Sequence, residues 1–342
     1  MVDMPYDALL LLSFGGPERP EDVMPFLENV TRGRGVPRAR LESVAEHYHH
    51  FGGASPINQQ CRDLKAAIEA DFAANGVDLP VYWGNRNWHP FLADTLRRMK
   101  ADGVRRAAAF VTSAYSGYSC CRQYLEDIDR ARAEVEDAPE VDKLRIYYNH
   151  PGFVEPVIEN TRAALGRLPA DLRDDARLVF TAHSVPLAQP GREDYVAELN
   201  DISALVAETL GAGRPWDLVY QSRSGPPSVP WLEPDVLDHL TELHGEGVRA
   251  AVIVPVGFVS DHMEVKYDLD VEAAELAGRL GLRIERAATP GTHPRFVAMV
   301  RELLLERDGA ERPALGGLGP RPDHCAAGHC RRAEEAVRGR TS

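Results

Sequence analysis

Short apolar runs alternate with longer stretches of helical periodicity along nearly the whole chain. Runs rich in Val, Ile, Leu and Phe and bounded by polar turns read as strands buried on both faces, and apolar residues three and four apart over ten or more positions read as the helices that cover them. In the first half this spacing predicts strands at residues 8–14, 81–84, 107–112 and 144–147; in the second half, at 177–182, 218–221, 250–254 and 282–285. Helices are predicted at 58–74, 91–102, 196–210, 234–245 and 261–280, with a last one at 294–307. The halves repeat one order of elements. The expectation is an α/β fold of two similar doubly wound domains with parallel sheets, 1–150 and 151–307, joined near 150–153. Residues 308–342 form an extension rich in Gly, Pro and Arg, expected to lack a core of its own. Ligands of such sheets bind beyond the carboxyl ends of the strands, so the cleft between the domains is the expected site.

Composition narrows the function. A chain of 342 residues exceeds one ordinary core, and 44% hydrophobic with 27% charged residues describes a soluble globular protein. No apolar run nears the roughly 20 residues of a membrane helix. The start MVDMPYD has neither a basic region nor a small-residue cleavage site, so a cytoplasmic location is expected. A net charge of −13 opposes nucleic acid as a partner, because a duplex binder must neutralise phosphates. Five cysteines do not suggest a disulfide framework.

Candidate chemistry lies at the strand ends. SFGGP, 13–17, allows a ligand close to the backbone or is a plain turn. The polar stretch after it carries Arg32, Arg34, Arg38 and Arg40, whose planar guanidinium groups suit carboxylates or a solvated face. In HYHHFGGASPIN the spacing of His47, His49 and His50 mixes faces and does not make a metal site, while Ser55 and Pro56 read as the cap and first position of the next helix. VTSAYSGYSCCRQYLEDI presents Tyr115, Tyr118 and Tyr124 among Ser113, Ser116 and Ser119, which fits a flat hydrophobic ligand with polar edges or ordinary packing. His183 follows the strand LVFTA and projects at the edge of the sheet as a base, a ligand or a structural histidine. Glu264, Asp268 and Glu272 are four apart, which on an α-helix puts three carboxylates on one face; Met263, Tyr267, Val271 and Ala274 would mark the buried face. Such a row is a solvated acidic face or a path for a divalent cation.

Six segments in register, LLSFGGP, HYHHFGGASPIN, CRQYLEDI, FTAHSVP, YQSRSGPPSVPWLEPDV and VIVPVGFVSDHMEVKYDLD, resemble those of the ferrochelatases. The resemblance covers the chain to about Arg307. It implies a lyase of haem biosynthesis that inserts Fe²⁺ into a porphyrin held between the two domains. It further implies that His183 and Glu264 face each other across the macrocycle and bind the iron, with Asp268 and Glu272 as its entry path. Ser55 and Tyr124 would contact the porphyrin, Phe14 stands where some relatives carry a tyrosine that ligates product iron, and Arg32 and Arg34 would partner propionates. The early loop is polar where membrane-associated relatives carry an apolar lip, so coproporphyrin III, with four propionates, is expected over protoporphyrin IX.

Some relatives bind a [2Fe-2S] cluster through one internal cysteine and three in an extension. Here the extension offers Cys325 and Cys330, with Asp323, His324 and His329 nearby, while Cys61, Cys120 and Cys121 lie elsewhere and supply no evident replacement. A cluster with unusual ligands, a zinc site or an empty tail are the alternatives. Two other functions compete. A cobalt or nickel chelatase would commonly place a second histidine at position 264, and a non-catalytic tetrapyrrole carrier or solute-binding protein would give the acidic row no purpose.

Overall fold

The computed structural model describes residues 5–225, 228–325 and Cys330; His329, named above, lies outside them. The described residues include eight strands: β1 Ala8–Ser13, β2 Val81–Asn85, β3 Arg106–Val111, β4 Glu140–Lys143, β5 Arg177–His183, β6 Trp216–Gln221, β7 Ala250–Val254 and β8 Arg283–Arg286. They form two parallel four-stranded sheets in the same order, β2-β1-β3-β4 and β6-β5-β7-β8. β1 shows why these runs are strands. Leu9 and Leu11 enter one apolar core and Ala8, Leu10 and Leu12 another, so both faces are covered and no polar alternation is needed. Each sheet reverses its order beside its first strand, and the crevice this opens lies at the carboxyl ends of β1 and β5.

Two elements depart from the expectation. The fourth strand is the polar edge strand Glu140–Lys143, not residues 144–147. Leu144, Ile146 and Tyr147 are buried all the same, Tyr147 by stacking on Phe110 at 4.9 Å, since an apolar run can fill a core without joining a sheet. The helix expected at 261–280 is three pieces: α-helix Met263–Tyr267, a π-helical turn Asp268–Ala273 and α-helix Ala274–Leu280. Its buried stripe is Val265, Leu269, Ala273 and Ala277; of the four residues expected there only Met263 is buried, because the wider turn re-registers the face.

The last helix, Pro294–Glu306, packs on helix Pro151–Arg167 and on helix Ile57–Ala74 of the first half. Arg301 Nε donates to Asp71 at 2.8 Å across that seam. Just after β4, Arg145 donates to Glu306 at 2.5 and 2.8 Å, and both side chains are 1% exposed. The described part of the extension has no helix or strand. It is instead tied across both halves, by Leu315 N–H to the Asn149 carbonyl at 2.8 Å, Gly317 N–H to Asp201 at 2.7 Å and Arg321 to Glu198 at 2.7 Å.

A buried ion pair that loses one partner leaves the other charge uncompensated. Glu306→Ala is therefore expected to lower unfolding free energy by about 3–5 kcal/mol. The urea midpoint, with the slope unchanged, checks this; a loss below about 1 kcal/mol, the scale of an exposed pair, would refute it.

Candidate active site

β5 ends on His183, and the neighbouring β7 leads through the loop 255–262 to Glu264 in the first turn of its helix. The two side chains meet: His183 Nε2 stands 3.5 Å from Glu264 Oε2. On the other side of the ring, His183 Nδ1–H donates to the Ser184 carbonyl at 2.5 Å, and this fixes the ring's direction. The side chains are 34% and 46% exposed, deep among protein atoms with their tips open to the cleft. His262 adds a second imidazole, its Nδ1 3.8 Å from the same carboxylate oxygen.

This contact corrects the expectation that His183 and Glu264 oppose each other across a macrocycle. A flat ring touched on both faces needs about 7 Å between the touching atoms, two contacts of ~3.5 Å. At 3.5 Å the two groups belong to one wall, built by the second half, and address the same face of any flat ligand.

The charges follow from the geometry. Burial works hardest against a charged His183, but the Glu264 carboxylate, its hydrogen bond, the Ser184 carbonyl and Asp268 together outweigh it and push the imidazole up to about 9. Burial likewise opposes a charged Glu264, yet His183 and His262 hold it down to about 2. His183 and Glu264 thus face each other as imidazolium and carboxylate at neutral pH. Folded-state stability from His183 is fully present below its ordinary 6.5 and lost as pH rises through about 9; that from Glu264 is present above 4.5 and lost as pH falls through about 2. His262 stays below its ordinary value, first because it is buried.

The acidic row continues outward, each member sensing the next. Asp268 is raised to about 7, by burial first and then, against the Ser222 hydrogen bond, by Glu264 and Glu272. Glu272 is raised by burial, Asp235 and Glu275. Ser222 donates to Asp268 Oδ2 at 2.5 Å from a left-handed backbone, φ 60°, a conformation that costs a non-glycine residue energy. Gln221 Nε2 donates to the same oxygen at 3.3 Å and to the Glu264 backbone carbonyl at 3.1 Å. Both residues lie in the YQSRSG segment, and nothing in their own types marked them as supports.

The first half supplies the other wall. Phe14, 36% exposed at the end of β1, sets its ring edge-on to Phe26 at 6.3 Å. Phe26 and Tyr48 share an apolar cluster with Met263, so the lip formed by helices Val23–Val30 and Arg38–His50 lies against the start of the Glu264 helix. His47 stacks on Tyr267 at 3.7 Å, so its role is the seam rather than metal binding. Ser55 is buried against the SFGGP turn: a Cβ on Gly16 would come within 2.8 Å of the Ser55 Cβ, so only glycine lets the two segments pack this closely. The helix starts at Ile57, so the cap position falls on Pro56 and not on Ser55. Tyr124 is buried too, beneath Arg86, whose guanidinium lies 4.3 Å over its ring and 5.7 Å from that of Phe14 and is paired with Asp127. Sequence reading passed over Arg86, a cation between two aromatic rings of this wall. Arg32 and Arg34 are exposed in the turn after Val30, and neither guanidinium forms an ion pair among the described residues. A separate cavity of about 430 Å³ opens between the halves beside Gln60, Asp261, Thr289 and His293, and does not include the His183–Glu264 pair.

In the extension, Cys325 comes against Cys121, not one of the replacements expected. Its thiol is held well above the ordinary range, first by its hydrogen bond with the Cys121 sulfur and then by burial, with Cys330 adding to the effect. Cys330 is pushed up to about 11, by burial and then Cys121, and a Cβ on Gly191 would lie 2.4 Å from its sulfur. Cys120 instead faces Ser119 at 3.9 Å, and Cys61 hydrogen-bonds with Ser13 and Trp83. Cys121, Cys325 and Cys330 sense one another, but they are three sulfurs where a [2Fe-2S] centre needs four thiolates. Among the described residues no group of three or more His, Cys, Asp or Glu is arranged to hold a metal ion. The residues described do not fit such a cluster.

Comparison with known proteins gives the family and the fold. The family model described as Ferrochelatase matches residues 6–308. The chain is similar to the coproporphyrin III ferrochelatase of Nocardia farcinica, 58% identical with 96% of this chain and 97% of that one covered. It is 54% identical to that of Streptomyces griseus, covering 95% and 93%. A ferrochelatase of Rhodopirellula baltica is 55% identical, again covering 95% and 93%. In fold the chain resembles SirB from Bacillus subtilis with Fe3+, TM-score 0.53 at 14% identity over 88% of this chain and 97% of that one. It also resembles CbiX, the terminal enzyme for biosynthesis of siroheme in denitrifying bacteria, TM-score 0.50 at 13% identity over 89% and 100%. No helix among the described residues is long and apolar enough to cross a membrane.

If Glu264 holds the proton on His183, removing its charge must free it. In Glu264→Gln the His183 titration, followed by ¹⁵N NMR of labelled imidazole, is expected to fall from about 9 toward the ordinary 6.5. An unmoved midpoint would mean the pair is not what sets it.

Proposed function

The chain belongs to the ferrochelatase family, and we propose that it inserts Fe²⁺ into coproporphyrin III with release of two protons. The observation that carries the mechanism is the 3.5 Å contact between His183 and Glu264 on one wall of the cleft. Insertion requires taking protons from two pyrrole nitrogens, so a neutral base is needed at the ring. Paired with Glu264 alone, His183 keeps its proton and cannot serve. A divalent ion arriving at Glu264 changes this, since its charge replaces the imidazolium as the partner of the carboxylate and drives the His183 proton off. The base is thereby released when the metal is in place. Asp268, near 7, is suited to pass protons outward or to take an oxygen position on the incoming ion, with Glu272 beyond it.

Coproporphyrin III as substrate is supported by the relatives of that name and by the polar, cationic lip with its free Arg32 and Arg34. Phe14 offers no oxygen to product iron, so ligation from that wall is absent at this position, and its ring with Arg86 behind it would lie against the macrocycle. Ser55 and Tyr124, both buried, would act by shaping that wall. No step is routed through an iron–sulfur cluster, since its ligand set falls a sulfur short among the described residues.

Purified protein mixed anaerobically with Fe²⁺ and each porphyrin is expected to turn over coproporphyrin III at least about tenfold faster than protoporphyrin IX, on the scale of a few lost charge-assisted contacts. Visible spectra report it; turnover of neither ring would defeat the assignment, and preference for protoporphyrin IX would defeat the substrate choice. His183→Ala should lose at least about 100-fold in rate while still binding porphyrin, the usual worth of a positioned base. Wild-type rates in that variant would remove the base.

A further inference from the structure

Glu198 is a carboxylate with no exposure, and the charge that answers it comes from outside both sheets. Arg321 of the extension donates through Nε to Glu198 Oε1 at 2.7 Å and approaches Asp194 at 3.4 Å. From the loop after β3, the Ser116 N–H donates to Oε2 at 2.7 Å and its hydroxyl to Oε1 at 2.5 Å. First half, second half and extension meet on one buried carboxylate, which is tolerated because it is paired and hydrogen-bonded on every side.

One turn earlier on the same helix, Arg192–Leu210, stands Tyr195. Its ring is buried edge-on against Tyr115, centroids 6.0 Å apart, and its hydroxyl donates to the backbone carbonyl of His183 at 3.0 Å. Tyr115 is itself tied to the second half, its hydroxyl donating to the Val256 carbonyl at 2.8 Å. The peptide from which the imidazole projects is therefore held from behind by a tyrosine whose helix is pinned, a turn away, by the extension.

We infer that Arg321, acting through Glu198 and Tyr195, is a positioning residue for His183. It lies beyond residue 308, where the match to the family model ends, so the extension contributes to the geometry of a site built wholly from the matched part. The inference rests on His183 being the base. Displacements of about 1 Å at a reacting group cost up to about 100-fold, so a loosened anchor is read in the chemical step rather than in binding.

The test uses the full chain with coproporphyrin III and Fe²⁺. Tyr195→Phe, which removes one hydroxyl, and Arg321→Ala are each expected to lower kcat about tenfold with both KM values unchanged. The double variant should be no slower than the slower single one, because both act on one position. Arg321→Lys should recover most of the loss. Multiplied effects in the double variant, or a lowered Tm with full kcat in Arg321→Ala, would overturn the inference. His183→Ala is measured alongside. If it keeps the wild-type rate, the base assignment itself falls; if it is inactive while the other two effects multiply, only the positioning role does.

Discussion

An imidazole and a carboxylate 3.5 Å apart, at the open end of a buried sheet, are the contact on which the rest of this molecule's chemistry depends. Each holds the other charged against the desolvation of the cleft, a proton and a negative charge kept side by side. Under the proposed function a cation at Glu264 would take the place of the imidazolium as the carboxylate's partner, and the base would appear with it.

The fold serves that contact by repetition and by seams. Two sheets of identical strand order present their carboxyl ends to each other, the second supplying charge and the first an aromatic wall of Phe14, Phe26 and Tyr48. The lip and the Glu264 helix share one apolar cluster through Met263, and His47 stacks on Tyr267, so the two walls of the cleft are mechanically one surface. The π-helical turn at Asp268 keeps the acidic side chains beside that surface while Val265, Leu269 and Ala273 fill the core behind it.

Much of this was legible in the chain. Strands buried on both faces announce themselves as unbroken apolar runs, and seven of the expected positions coincide with strands. The eighth failed because Leu144, Ile146 and Tyr147 are apolar for the sake of the core, whereas the true edge strand, EVDK, has no such need. Spacing could place Glu264, Asp268 and Glu272 together but could not distinguish a wide turn from an α-turn, which differ by one hydrogen bond and no residue type. His183 and Glu264 do meet, but on one wall rather than two, since facing direction across a cleft is set by packing between distant segments. Cys121 beside Cys325, Arg86 between two rings and Tyr195 behind His183 were invisible for the same reason: each is defined by a partner far away in the chain.

The helix Pro294–Glu306 ends the globular fold yet seats on Ile57–Ala74, near its beginning. During synthesis the early half must therefore wait with that helix uncovered until the last segment leaves the ribosome, roughly 10–30 s after residue 150 at ordinary elongation rates. The apolar cluster that Leu64, Ile68 and Phe72 share with Phe296, Val300 and Leu303 is incomplete for that interval. Docking of Pro294–Glu306 on Ile57–Ala74 is thus a late, long-range event in the closure of the molecule.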